Sequence, residues 1–362
     1  MNFRARVAFV VLISFIFFIP FQTYWAETGT NFTIESLPLS NDIVSVNSTE
    51  NHTWWVSTNT DINIQSLTQN LSTNTEANQI DNPGAGWLAA PLPGNVIKLG
   101  IIPKDSQRAV FMRRFFLSPN EPNENYAVRL GKISDRDRVY FNGVLIGGSG
   151  DFSSTAPQAY DKIRLYEIPT QLLKPGKMNV IVIDIEKYFD FEVGVVADRL
   201  EFGPELKLYR EFFYDLLVQL LLLASYVTVG VYFLFLFIRR PQEKANLIFG
   251  IFALSLVGYQ ALSTQLKHEI GLSFFPMKKI EYLVLQMMIG SIYLFIRTYF
   301  GLPKKWFFKV LDYVSWAAIA GLGVVFVSVL FSSNIQFWNT VNQGISINIV
   351  LPVIMLSIII VT

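Results

Sequence analysis

Five acidic residues have the type and the spacing that could support chemistry on a polar ligand. They are Asp151, Asp184, Glu186, Asp190 and Glu192. A pair of carboxylates on a rigid scaffold can hydrolyse a glycosidic bond, and carboxylates together with backbone oxygens can bind calcium. Nothing in the sequence fixes the distance between these side chains, and acids at strand edges and in loops are more often solvated. We therefore expect no catalytic residue and no metal ligand among them.

Aromatic residues beside these acids indicate ligand binding without chemistry. Sugars are held by aromatic faces with a few polar groups placed around them. If this region binds a ligand, we expect the contacts to come from Asp151, Phe152, Tyr160, Tyr188, Phe189 and Phe191. The alternative interpretation is that most of these rings pack in a core or between domains, which is their more common role.

Composition narrows the function classes further. The chain has 362 residues, no cysteine and two histidines, His52 and His268, which are far apart in sequence. Disulfides, thiolate catalysis and cysteine metal sites are therefore excluded, and a zinc site or a histidine-based triad is a poor interpretation. A net charge of +1, from 29 basic and 28 acidic residues, gives no field that would attract nucleic acid. We expect no cofactor and no nucleic-acid partner.

The stretch VYFNGVLIGGSGDF, residues 139–152, positions the first of the candidate residues. Asn142-Gly143 between two apolar triplets is typical of a type I′ turn, since both residues tolerate positive φ. The glycine-rich part from Gly147 onwards lacks the Lys-Ser/Thr ending of a phosphate-binding loop. We interpret it as a flexible rim that follows the hairpin.

Short apolar runs separated by turn signals extend over residues 84–208, which is typical of an all-β sandwich. Four stretches follow one another there: Gly86-Trp87, residues 111–117 with paired arginines, residues 137–147, and residues 173–182. Their order resembles the galactose-binding-like jelly roll that precedes the catalytic barrel in glycoside hydrolase family 2 enzymes. The resemblance implies a jelly-roll fold and a carbohydrate or small-ligand surface. It does not imply hydrolysis, because no barrel follows.

The part of the chain before this sandwich shows two patterns. Residues 1–26 have a short basic region and about 15 apolar residues, which fits a cleaved export signal, with an uncleaved membrane anchor as the alternative. Residues 27–83 are rich in Asn, Thr and Ser, and we predict a disordered polar leader. Within it, Trp54 and Trp55 are either docked on the next domain or an exposed pair.

Five apolar segments after residue 208 are near or above the length that crosses a bilayer, and we predict a transmembrane helix for each. They are residues 212–238, 245–263, 281–299, 310–332 and 345–362. With the sandwich outside, seven basic residues are internal: Arg239, Arg240, Lys244, Arg297, Lys304, Lys305 and Lys309. Three are external: Lys267, Lys278 and Lys279. This asymmetry and the export signal both predict an extracytoplasmic sandwich.

The helical region, residues 209–362, resembles a second family. Residues 225–241 end a first helix in basic residues and residues 246–254 begin an early second span, as in bacterial seven-transmembrane receptors with diverse intracellular signalling modules. One subgroup of that family carries a galactose-binding-like jelly roll directly before the first span. The resemblance implies the input half of a sensor, whose kinase, cyclase or phosphatase module would follow a seventh span. With five predicted spans and an end at Thr362 inside an apolar run, the chain looks truncated.

The sequence therefore predicts a β-sandwich followed by an α-helical transmembrane bundle, in the bacterial inner membrane with the sandwich in the periplasm. The expected partners are a carbohydrate or other small-molecule ligand and membrane lipid, and a homodimer is left open. The favoured function is a receptor without enzymatic activity in this chain. The alternatives are a membrane-anchored carbohydrate-binding or envelope protein without signalling, and a membrane-embedded enzyme or transporter, for which a few glutamines within the spans are thin support.

Overall fold

The computed structural model describes residues 33–341, apart from residues 41, 60–61, 66, 68–80, 82, 121–123, 155–156, 270, 272, 302–305, 333, 335–336 and 339. It divides into two compact units, with the boundary between Asp215 and Leu216. The predicted export signal, residues 1–26, and the predicted fifth span, residues 345–362, lie outside the described residues.

Twelve strands and four long helices are described. The strands are β1 (Glu35–Leu37), β2 (Val44–Ser45), β3 (Trp54–Ser57), β4 (Leu88–Ala90), β5 (Arg108–Leu117), β6 (Tyr126–Ser134), β7 (Arg136–Phe141), β8 (Val144–Ser149), β9 (Ile163–Ile168), β10 (Met178–Glu186), β11 (Gly194–Ala197) and β12 (Glu201–Pro204). The helices are α1 (Glu205–Arg239), α2 (Lys244–Ser263), α3 (Phe274–Phe300) and α4 (Trp306–Phe331).

Two sheets with mostly antiparallel strands form the first unit. The first sheet has the order β4-β3-β5-β10-β7-β8, and β1 pairs with β5 in parallel. In the second sheet, β6 pairs with β9, β11 and β12, and β12 also pairs with β2. Side chains of both sheets share one core, in which the ring centroid of Phe115 lies 6.0 Å from that of Phe141 and 5.7 Å from that of Phe202. The predicted β-sandwich class is confirmed.

The β7–β8 hairpin has the two-residue turn that its sequence predicts. Asn142 and Gly143 have φ of 49° and 87°, so both central residues adopt the positive φ of a type I′ turn. The Asn142 side chain also donates to the carbonyl of Leu172 at 2.7 Å and accepts the N–H of Val180 at 2.9 Å. Asn142 therefore sets the turn and also connects it to β10.

The interpretation of the glycine-rich segment as a flexible rim is wrong for its first residues. Residues 147–149 continue strand β8. A Cβ at Gly147 would lie 2.3 Å from the Tyr166 ring, so glycine is needed there for close packing. The loop begins at Gly150, whose φ of 84° favours glycine.

The prediction of a disordered leader over residues 27–83 is wrong for the part of it that the structure describes. β1, β2 and β3 lie there, and they pair with β5 and β12 of the sandwich. Trp54 is fully buried in the core, and its indole N–H donates to the carbonyl of Val46 at 2.8 Å. These strands have two to four residues each, which is too short to produce a visible period in a polar sequence.

The paired arginines of β5 hold this N-terminal part on two faces. Arg113 is 1% exposed and forms an ion pair with Glu35. Its neighbour Arg114 forms an ion pair with Asp81, which is 3% exposed. Successive residues of a strand point to opposite faces, so two adjacent arginines bind partners on both sides of the sheet.

All four described helices are long and apolar enough to cross a membrane. They overlap the first four predicted spans, although α1, α3 and α4 begin earlier than predicted, at Glu205, Phe274 and Trp306. The polar start of α1 explains the first difference, because a helix can continue beyond its apolar stretch. The helices therefore confirm the second half of the predicted fold class over the described residues.

Close approach and a charged pair connect these helices. A Cβ at Gly250 of α2 would lie 2.8 Å from the side chain of Leu234 of α1, so the missing side chain lets the two helices approach. Between α3 and α4, Arg297 donates to Asp312 at 2.9 Å, and Tyr293 donates to the same carboxylate at 2.8 Å. These two hydrogen bonds satisfy the Asp312 carboxylate within the helical unit.

Candidate functional site

The candidate ligand-binding residues lie on two loops at one end of the sandwich. Residues 150–162 connect β8 to β9, and residues 187–193 connect β10 to β11. Glu186 at the end of β10 is the register partner of Arg136 at the start of β7. β8, which pairs with β7, also ends at this level. Both loops therefore leave the same end of neighbouring strands.

Asp135 and Arg136 fix the first loop from inside the sandwich. Asp135 accepts the N–H of Ala159 at 3.1 Å, and Arg136 donates to the carbonyls of Asp151 and Ser154 at 2.9 and 2.7 Å. Burial raises the pKa of Asp135, although backbone hydrogen bonds and two arginines oppose the increase. These contacts give the described residues of the loop a defined path despite their glycine and serine content.

A buried ion pair lies beneath this loop. Arg164 and Asp137 are both fully buried, with Nε 2.7 Å from Oδ1, and Tyr166 donates to the other Asp137 oxygen at 2.7 Å. Burial, and then the charge of Asp137, raises the pKa of Tyr166, so its hydroxyl remains a donor. Removing one partner of such a pair costs about 3–5 kcal/mol. The pair therefore gives the loop a rigid base.

Four of the six candidate residues form an aromatic group, which consists of Tyr160, Tyr188, Phe189 and Phe191. The ring centroids of Tyr188 and Tyr160 lie 4.9 and 5.1 Å from that of Phe189, both edge-on, and the Phe191 ring stacks on it at 5.2 Å. Phe189 is 6% exposed and serves as a core residue, which is the role that the alternative interpretation expected. The other three rings are partly exposed and can offer their faces and edges to a ligand.

The remaining two candidates have different surroundings. The guanidinium of Arg138 lies 4.0 Å from the centroid of the Phe152 ring. Asp151 is exposed and accepts from both the N–H and the hydroxyl of Ser153, at 2.8 and 2.7 Å, and these hydrogen bonds lower its pKa. The structure therefore gives Phe152 and Asp151 roles in shaping the loop beside the aromatic group.

Three residues that the sequence did not single out for ligand binding contact the aromatic group or its loop. The Tyr160 hydroxyl donates to Glu192 Oε2 at 2.9 Å, which brings a carboxylate to the group. Asn95, 96 residues away in sequence, donates to the carbonyl of Phe191 at 3.0 Å. Buried Lys187 forms an ion pair with the exposed Asp190 at 3.4 Å. The sequence indicates Glu192 as an acid close to aromatic residues, whereas no sequence motif indicates Asn95 or Lys187.

The other acids that were weighed for chemistry are engaged in ion pairs. Arg108 binds both oxygens of Asp184, at 2.6 and 3.0 Å, and Arg136 lies 3.7 Å from Glu186. Within the described residues, no group of three or more His, Asp or Glu side chains is arranged to hold a metal ion.

The helical region matches a known protein family. Residues 215–362 match the family described as 7TM diverse intracellular signalling. The match confirms the resemblance that the helical region shows in its sequence, and it indicates a membrane sensor. Together with four apolar helices, it indicates an integral membrane protein. No curated protein matches the chain.

Solved structures that are similar to this chain include two bacterial enzymes. The b-glucuronidase from Ruminococcus gnavus in complex with N1-substituted uronic isofagomine is 18% identical, with a TM-score of 0.28 over 42% of this chain and 23% of that chain. The beta-glucuronidase of Bacteroides uniformis is 13% identical, with a TM-score of 0.32 over 44% of this chain and 18% of that chain. The alignments thus span less than a quarter of those structures, and the sandwich assignment rests on the two sheets themselves.

Proposed function

We propose that this chain is the input part of a membrane receptor, in which the sandwich lies outside the cytoplasm and binds a carbohydrate-like or other small ligand. The signal passes through the helix bundle to a cytoplasmic output module. The observation that carries the receptor role is the family match of residues 215–362, which follows directly on a sandwich with an aromatic surface.

The aromatic group supports the ligand class. Tyr160, Tyr188 and Phe191 expose parts of their rings around a buried Phe189, and Glu192 and Asp190 add carboxylate acceptors nearby. Sugars present apolar C–H faces and hydroxyl donors, which match ring faces and carboxylates. Because the loops are fixed by buried polar contacts, little ordering would accompany binding.

Ligand binding has to favour one arrangement of the protein over another in order to signal. A ligand with equal affinity for two states shifts nothing, whatever its affinity. The ligand must therefore contact both loops, residues 150–162 and 187–193, or change the distance between them. The aromatic group meets this condition, because the partly exposed Tyr160 comes from the first loop and the partly exposed Tyr188 and Phe191 come from the second.

Calorimetric titration tests the ligand class directly. The full chain in lipid nanodiscs is titrated with neutral and acidic monosaccharides and with glycan fragments of the cell wall. We expect heat with at least one compound, and the variant Phe191→Ala should weaken that affinity at least about fivefold, because a stacked ring contributes about 1 kcal/mol beyond its burial.

The matched control is Leu145→Ala, which removes an exposed apolar side chain near the start of β8, at the end of the strand opposite to the loop that carries Tyr160. Leu145 is 55% exposed and lies in the β7–β8 hairpin. Its loss should leave the affinity unchanged. No heat with any compound would contradict the carbohydrate hypothesis, and binding that leaves the helices unaffected would favour the membrane-anchored binding protein without signalling.

A further inference from the structure

A cluster of charges in the sandwich unit lies apart from the aromatic group and its loops. It contains two arginines and four carboxylates: Arg129, Arg199, Asp198, Glu201, Glu211 and Asp215. About the first three turns of α1, residues 205–215, belong to the same unit as the sandwich. The cluster therefore joins strands β6 and β12 to the start of the helix that follows them.

Arg129 of β6 is shared unequally between two acids. Its side chain is 2% exposed, and it donates to Asp198 at 3.0 and 2.8 Å through Nε and Nη2. It also donates to Asp215 of α1, but at 3.4 Å from both terminal nitrogens. The contact within the sandwich is thus the shorter one, and the contact with the helix is the longer one.

Arg199 forms the second connection and is much more exposed. It contacts Asp215 at 3.1 Å and Glu211 at 3.3 Å on the helix, and Glu201 at 3.4 Å on β12. Arg199, Glu211 and Asp215 are each between 42% and 49% exposed. Ion pairs of this kind are screened by salt and contribute little individually.

This unequal sharing makes the contact with the helix reversible. If Asp215 moves away, buried Arg129 keeps Asp198, so no uncompensated charge remains in the sandwich. The released acids, Asp215 and Glu211, are already half solvated, so their transfer to water changes little. The electrostatic free energy therefore differs little between a held and a released helix start.

We propose that this charge cluster is a releasable latch, which holds the first turns of α1 against the sandwich in one state and frees them in another. Arg129 is the positioning residue, and Asp215 is the group that leaves. Only the signalling role of the latch rests on the proposed function. As a property of the sandwich unit it stands without any ligand.

Cysteine labelling measures the latch, because the native chain has no cysteine. Leu208 of α1 is fully buried, so Leu208→Cys introduces one protected thiol on the side that the latch holds. The full chain in nanodiscs is treated with a hydrophilic maleimide without ligand. In this background, Asp215→Asn should raise the labelling rate severalfold, and raising the ionic strength to about 1 M, where screening acts over about 3 Å, should do the same.

Asp198→Asn provides the decisive comparison. Asp198 has φ of 73°, which Asn also tolerates, so the backbone should be kept. Arg129 would then depend on Asp215, so the latch should tighten and labelling should slow. A merely structural cluster predicts faster labelling in both variants, because both would loosen the unit.

Glu205→Gln is the matched control, since it removes the same charge from the same helix outside the cluster and should leave the rate unchanged. Tryptophan fluorescence melts confirm that each variant is folded. An unchanged rate in Asp215→Asn, or faster labelling in Asp198→Asn as well, would overturn the latch. Labelling uses no ligand, so failure of the sugar titration and failure of the latch are separate results.

Discussion

Arg164 and Asp137 illustrate how single side chains stabilise this sandwich. Both are fully buried, and their partners include Tyr166 and the carbonyls of the loop that carries Tyr160. A buried pair is weak evidence for stability on its own, because desolvation offsets much of the attraction. Here both terminal nitrogens of Arg164 donate to backbone oxygens. The main consequence of this buried ion pair is a defined path for the loop that carries Tyr160, on which the candidate ligand surface depends.

Gly147→Ala should destabilise the sandwich by about 1–3 kcal/mol, the usual range for overpacking. The new methyl would lie 2.3 Å from the Tyr166 ring, which must move and lose its hydrogen bonds to Asp137 and Ser149. Urea unfolding followed by tryptophan fluorescence measures the change. In a Tyr166→Ala background the same substitution should have little further effect, and equal losses in both backgrounds would contradict the explanation.

Glu201 predicts a pH dependence of stability. Burial raises the pKa of Glu201 above its usual value, although two arginines oppose the increase. A raised pKa means that the ionised form destabilises the fold at neutral pH, and that this penalty is lost as the pH falls through the folded pKa towards the unfolded one. Glu201→Gln should therefore raise the free energy of unfolding at pH 7, and the gain should shrink towards about pH 4.5.

Urea unfolding of the native protein and of Glu201→Gln, at several pH values between 7 and about 4.5, measures this change. The difference between the two proteins isolates Glu201 from the other titrating groups. A variant that is less stable by the same amount at every pH would show that the contact of Glu201 with Arg199 outweighs its burial.

Strands β1 and β3 show how an element with little regular structure of its own can complete a sheet. β3 covers one edge of β5 over residues 110–112, and β1 continues along the same edge at residues 115–117. Arg113 and Arg114 between them bind acids from this N-terminal part. β5 is therefore an inner strand, with β10 on its other edge.

A fragment of residues 84–208 should fail to unfold cooperatively, whereas a fragment of residues 33–208 should show one transition. The shorter fragment leaves Arg113 and Arg114 buried without their acids, at about 3–5 kcal/mol each, which is comparable with the whole stability of a domain. Circular dichroism in urea distinguishes the two fragments. Similar transitions for both would show that β1 to β3 are dispensable.

Sequence patterns predict the parts of this fold in which local chemistry decides the structure. Asn142-Gly143 sets a turn by backbone geometry alone, and apolar length identifies the four described helices. β1 to β3 are held by partners more than fifty residues away, such as Trp55 opposite Met112, which no local pattern encodes. Lys187 and Asn95 were missed at the candidate site for the same reason, since distant backbone oxygens give them their roles.

The chain combines a sandwich unit and a helical unit, which differ in how much apolar surface they expose. The sandwich buries a core of Phe, Val, Ile and Leu between two sheets, whereas the helices leave large apolar side chains such as Phe235, Val324 and Phe331 exposed. Exposed apolar surface of this extent is what lipid would cover. The orientation of the helices is a separate question, which the distribution of basic residues addresses.

Reporter fusions test the proposed orientation. The segment between α1 and α2 carries Arg239, Arg240 and Lys244, so a phosphatase reporter that is active outside the cytoplasm should be inactive after Gln242. The same reporter after Gly271, between α2 and α3, should be active and serves as the control. Activity after Gln242 together with inactivity after Gly271 would reverse the topology and place the sandwich in the cytoplasm.

The position of β5 between early and late strands also sets the order in which the protein can fold. Its partner β10 ends at Glu186, and α1 begins about 20 residues later, at Glu205. Synthesis at about 5–20 residues per second passes that interval in about 1–4 seconds, which is comparable with the folding time of a non-local β topology. Closure of the first sheet therefore coincides with the emergence of the first apolar helix. Substitutions that delay the β5–β10 pairing should reduce the yield of inserted protein before they alter the stability of the finished molecule.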